Sequence, residues 1–173
     1  AIANGEKALA LGGLDDLTKC QLLVQLSAIY TQGGQNMDKA KSYAQQVTEV
    51  ARAAKAKETE GSPTSAAQWN KLAGAGLFLL GQAQEKTKDY QGAVDSYSNS
   101  YALLKDAKIL ASIKKLGKTL YDAKAYDAAE KAFKAAYTVT KDIDIAVIYA
   151  QALYRNNKAV SYTHLRAHET PEH

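Results

Sequence analysis

Apolar residues recur every three or four positions through almost the whole chain, and short polar or glycine-rich breaks separate the runs. That spacing puts the apolar side chains on one stripe of an α-helix, whereas a strand would need strict alternation. Helices are predicted at 1–11, 15–31, 37–57, 64–86, 90–104, 107–122, 126–139 and 143–156. The breaks carry turn chemistry at Gly12-Gly13, Gly33-Gly34, Gly61-Ser62-Pro63 and Asn156-Asn157. Only 55–65 (KAKETEGSPTS) reads as a long loop, and Pro63 ahead of Thr64 and Ser65 suits a helix start. Asp15-Asp16 reads as the cap and first-turn charge of the second helix.

The pattern also repeats. Setting 121–133 (YDAKAYDAAEKAF) under 85–97 (EKTKDYQGAVDSY) puts Tyr126 on Tyr90, Ala129 on Ala93 and Phe133 on Tyr97. Upstream, Leu116-Gly117 falls on Leu80-Gly81, so five positions agree in residue class at one offset of 36. Small residues let two helices approach closely, and an aromatic four residues after the alanine lies one turn on and fills the space beside it. In these residues the chain resembles the tetratricopeptide repeat family, whose motif sets L-G in one helix and A-x3-F in the next over about 34 residues. Units 74–107 and 110–143 carry the motif, with Leu77 where the family often has Trp and Ala136 as a further small residue. A partial unit, 143–158, has Ala150 in the glycine slot and Leu153 in the aromatic slot that follows. The pair at 15–57 is degenerate: Ala28 and Ala40 take the small slots, while Ser27 and Ala44 depart from the leucine and the aromatic. Residues 1–11 look like the second helix of an earlier unit. The resemblance implies an all-α fold, a right-handed α-solenoid of about eight helices in antiparallel pairs over 1–158.

It also implies where a partner would sit. In this family the first helix of each unit lines a concave face that grips a peptide or a partner helix. The corresponding positions are Phe78, Gln82 and Glu85, then Lys114, Lys118 and Tyr121, then Val147, Gln151, Tyr154 and Arg155. Lys114 and Lys118, four apart, read either as a basic strip for acidic peptide groups or as a solvated lysine face, with Tyr121 and Tyr154 as anchors in the first case. Chaperone-binding members use paired Lys and Asn; here Gln82 and Lys118 take those places without the Asn, which disfavours a chaperone tail. The long fourth helix with Trp69 near its start resembles bacterial secreted or periplasmic repeat proteins.

Composition sharpens this. The 32 alanines against two prolines favour helix. All three histidines fall in 161–173 (SYTHLRAHETPEH), a stretch that resembles translated sequencing-adapter read-through, so 159–173 is set aside as a non-native tail. The pair His164 and His168, with Glu169 beside it, would otherwise read as the start of a zinc site. Without Arg166, Glu169 and Glu172 the 22 basic and 18 acidic residues become 21 and 16, and the charge moves from +4 to +5.

The remainder, 1–158, has no histidine and so lacks the commonest general base and imidazole ligand. It also has no GxGxxG, P-loop, GxSxG or HExxH spacing, and Gly33-Gly34 reads as a turn. Cys20, without a histidine partner, reads as a thiol on a helix face. No catalysis, cofactor or metal is expected. The basic residues interleave with acids (KDYQGAVD, KAYDAAEK) and include only Arg52 and Arg155 as arginines, which argues against a nucleic-acid footprint. The longest apolar run, 72–80, falls far short of the roughly 20 residues that span a bilayer. With no Met or leader at Ala1, the true N-terminus is expected upstream, and the single cysteine fits cytoplasm or periplasm. The expected role is a scaffold for a protein or peptide partner, with a non-catalytic arm of a larger enzyme, transport or secretion assembly as the alternative.

Overall fold

Side-chain caps set where most of the helices begin. Asp15 accepts from the Thr18 amide at 2.9 Å and from its hydroxyl at 2.6 Å. Ser65 and Gln68 form a reciprocal capping box, and Asp89 and Asp106 accept from the amides of Gly92 and Lys108. The computed structural model describes residues 2–59, 61–62 and 64–155. The tail 159–173 with its histidines, Pro63 and the Asn156-Asn157 break lie outside the described residues. Among the described residues there are eight α-helices and no strand: α1 (Ile2–Leu11), α2 (Asp16–Gly33), α3 (Met37–Ala56), α4 (Ala66–Lys86), α5 (Tyr90–Leu104), α6 (Ala107–Asp122), α7 (Tyr126–Thr140) and α8 (Ile143–Arg155). The fold is all-α, and each predicted helix agrees with an observed one to within two residues at either end.

Packing runs along the chain. α2 lies on α3, α3 on α4 and α4 on α5; α5 meets both α6 and α7, and α7 meets α8. In addition α2 touches α4, and α6 touches α8. Among the buried apolar residues are a large cluster from α5 to α8 and a smaller one around Cys20, Ala51, Ala54, Trp69 and Ala73. α1 rests on α2 and has no buried residue of its own.

Small residues decide how close the helices come. Buried Ser27 donates to the Ala40 carbonyl at 2.9 Å, joining α2 to α3 where a leucine would have held them apart. A Cβ added at Gly76 would lie 2.9 Å from the Ala44 carbonyl oxygen, so the α4 backbone sits directly on α3. Ala44 departs from the aromatic of the repeat pattern, and this contact leaves no room for a ring.

The 36-residue repetition is physical as well as textual. A Cβ on Gly81 would fall 2.6 Å from the Tyr97 ring, and one on Gly117 would collide with Phe133 in the same manner. Ala93 and Ala129 are both fully buried, as is Leu116; Leu80, Tyr90 and Tyr126 are half-buried. Turns repeat too. Lys88 and Lys124 take positive φ of 61° and 57°, and their amides donate to Glu85 and Tyr121 carbonyls, both at 3.0 Å. Lys105 and Lys141 end α5 and α7 at φ 52° and 53°, each with its ammonium 5.2 Å from the ring of Tyr101 or Tyr137. Ala150 behaves differently from the motif glycines: it is half-buried, and Leu153, 36 residues after Gly117, is the buried residue there.

Candidate interaction groove

A cleft of about 430 Å³ opens between the C-terminal halves of α2 and α4 and the middle of α6. Thr31 and Gln32 line it from α2, Gln82, Glu85 and Lys86 from α4, Tyr97 from α5, and Ser112 and Lys115 from α6. The same ring that fills the space over Gly81 thus supports the cleft. Its hydroxyl donates to the Glu85 carboxylate at 2.8 Å, and burial, then Glu85, push the phenol well above its ordinary value. Tyr97 therefore stays a neutral donor that fixes Glu85 in place. Lys86 is likewise committed, donating to the Thr31 carbonyl at 2.5 Å across the α2–α4 junction. The Thr31 hydroxyl is buried and has no hydrogen-bond partner among the described residues.

The ten residues expected on the groove divide by what they touch. Gln82 and Glu85 line the cleft. Phe78 turns inward, 5.5 Å from the Tyr97 ring and packed on the core. Lys114 reaches Asp144 at 2.7 Å and Asp142 at 3.4 Å, which hold its ammonium above the ordinary range, Asp144 first. Arg155 donates to the Tyr121 hydroxyl at 3.2 Å, and Tyr121 packs edge-on against Tyr126 at 5.4 Å. The Lys114–Asp144 and Arg155–Tyr121 contacts staple α6 to α8, and the Tyr121–Tyr126 contact joins α6 to α7. Lys118 and Gln151 are exposed, as are Val147 and Tyr154.

The cleft also recruits residues that sequence reasoning passed over. Lys115, Ser112, Lys86, Gln32 and Thr31 all line it. The 36-residue offset could have found Lys115, because it places Leu79, Lys115 and Gln151 at matching positions of α4, α6 and α8. Thr31, Gln32 and Lys86 carried no such signal.

Among the described residues no group of three or more His, Cys, Asp and Glu side chains converges as a metal site would require. Cys20 is fully buried, its Sγ 3.8 Å from the Val47 carbonyl oxygen, and burial pushes the thiol up to about 11. No helix among the described residues is long and apolar enough to cross a membrane. No protein-family model matches the sequence, and no curated protein matches it either.

Proposed function

We infer that the chain is a tetratricopeptide-type repeat array, non-catalytic, that holds a peptide or a partner protein along the faces of α4, α6 and α8. In this reading α2–α3, α4–α5 and α6–α7 are antiparallel pairs stacked into a right-handed solenoid, and α8 opens the next pair. The observation that carries it is the repeated contact of glycine under aromatic, Gly81 with Tyr97 and Gly117 with Phe133. A unit that packs this way cannot bury its apolar face alone; stacked neighbours do so and leave a continuous concave surface for a ligand. In this reading the polar cleft lined from α2, α4 and α6 is part of that surface.

Selection from a random peptide-display library against the full chain tests the reading. Selected peptides should lose binding to a Gln82→Arg/Gln151→Arg variant and keep it with Lys131→Glu/Lys134→Glu, which alters exposed residues of α7. A library that yields no binder, or binders sensitive only to the α7 changes, defeats it.

A further inference from the structure

The groove's charges point to the kind of peptide it takes. Glu85 is engaged by Tyr97, and Lys86 by the Thr31 carbonyl. Lys115, which lines the cleft from α6, is exposed, and no residue among those described pairs with its ammonium. The lining therefore holds one carboxylate and two ammonium groups, and the uncommitted charge is positive. Lys118, three residues on, is also exposed and has no charged partner among the described residues. Lys114 cannot add to this site, since Asp142 and Asp144 already neutralise it.

One helix further along, the surface changes character. Val147 and Tyr154 are 45% and 63% exposed on α8, which packs on α6, where Asp144 reaches Lys114 and Arg155 reaches the Tyr121 hydroxyl. Exposed Lys115 and Lys118 thus form a cationic strip on the helix that packs beside α8 and its exposed apolar strip of Val147 and Tyr154. Packed helices lie about 8–10 Å apart. An extended peptide advances about 3.3 Å per residue, so crossing from one strip to the next takes about three residues.

The geometry points to an extended peptide that sets an acidic side chain against Lys115 and Lys118 and, about three residues away, an aliphatic or aromatic side chain on Val147 and Tyr154. The charge complementarity selects the acid, and the exposed α8 residues select its apolar companion. The inference rests on the peptide-binding reading of the groove and adds the ligand's chemistry to it.

Fluorescence anisotropy with synthetic peptides on the full chain decides it. One series carries Glu and Phe three residues apart, a second replaces the Glu with Lys, and a third places Glu and Phe side by side. The first should bind at least about tenfold more tightly than the others, the scale of one interface anchor. Lys115→Glu should invert the preference between the Glu and Lys peptides, and Val147→Ala/Tyr154→Ala should weaken the first series by about tenfold. Lys114→Ala should leave binding within about twofold, because that ammonium faces its own carboxylates. Binding that ignores the acid or survives Lys115→Glu overturns the inference while leaving the groove in place. If neither these peptides nor a random library binds, the groove reading falls with it.

Discussion

At the scale of single residues, the same substitution should have opposite signs at two glycines. Replacing glycine by alanine inside a helix gains up to about 1 kcal/mol of propensity. At Gly81 the new methyl group meets the ring of Tyr97, which is 1% exposed and fixed at its hydroxyl by Glu85. A locked ring cannot give way as a flexible chain end would, so overpacking of about 1–3 kcal/mol outweighs the gain. Gly81→Ala should lower stability to urea by about 1–2 kcal/mol on these opposing terms. Gly33 ends α2 with nothing within 4 Å of an added Cβ and with an ordinary φ. Gly33→Ala should therefore raise stability by about 0.4–1 kcal/mol, chiefly by restricting the unfolded chain. Matching losses at both sites would contradict the packing argument. Cys20 gives a second check. With its thiol buried and raised to about 11, it should resist alkylation at neutral pH until the chain unfolds. Labelling at the rate of a free thiol would show the α2–α3 interior to be open.

At the scale of elements, helix positions were legible because apolar period and capping chemistry agree: Asp15, Ser65, Asp89 and Asp106 all cap where a helix was expected. The ends after α5 and α7 were harder to justify from local chemistry, since Lys105 and Lys141 adopt a left-handed φ that sequence rules reserve for glycine or asparagine. Each is held instead by the hydrogen bond its backbone N–H donates to the Tyr101 or Tyr137 carbonyl and by its ammonium over that tyrosine's ring. The attachment of α1 was not legible at all, because it depends on groups 24 to 37 residues apart. Glu6 Oε1 accepts from Tyr30 at 2.8 Å, Lys39 at 2.7 Å and Tyr43 at 2.9 Å, and between α1 and α2 lie Gly12 and Gly13, both at positive φ. Lys39 first, then the two phenols, pull the Glu6 carboxyl from 4.5 down to about 2. A carboxylate lowered on folding contributes stability above its ordinary value and loses it as pH falls toward the folded one. The protection factors of α1 amides should therefore fall relative to those of α3 as pH drops from about 4.5 to about 2. Glu6→Gln should already show the loose α1 at neutral pH and no such acid step. A variant whose α1 is as protected as in the parent would mean that apolar contact, not the carboxylate, holds the helix.

At the scale of the whole molecule, the 36-residue repetition was legible where Gly81 meets Tyr97 and Gly117 meets Phe133, and the cleft was not, because its charges are settled between helices distant in sequence. Local spacing grouped Lys114 with Lys118; only the fold brings Asp142 and Asp144 to Lys114 and leaves Lys115 facing the cleft. The same packing order bears on how the molecule comes apart. Substantial contacts join helices that are neighbours or next neighbours in the chain, and the larger core cluster, centred on α5 to α8, shares no residue with the one around Cys20 and Trp69. In such a quasi-linear arrangement a local loss need not spread to the far end, as it would around one central core. Phe133 is fully buried over Gly117, and Phe133→Ala should cost about 3–5 kcal/mol where it acts. Hydrogen exchange should then show faster opening of α6, α7 and α8 while α2 and α3 keep most of their protection. The converse follows for Leu23→Ala, whose buried side chain lies on α2: α2 and α3 should loosen and α7 and α8 should change little. Equal acceleration across all the helices in either variant would mark a single cooperative unit, and the one-dimensional picture of α2 to α8 would have to be given up.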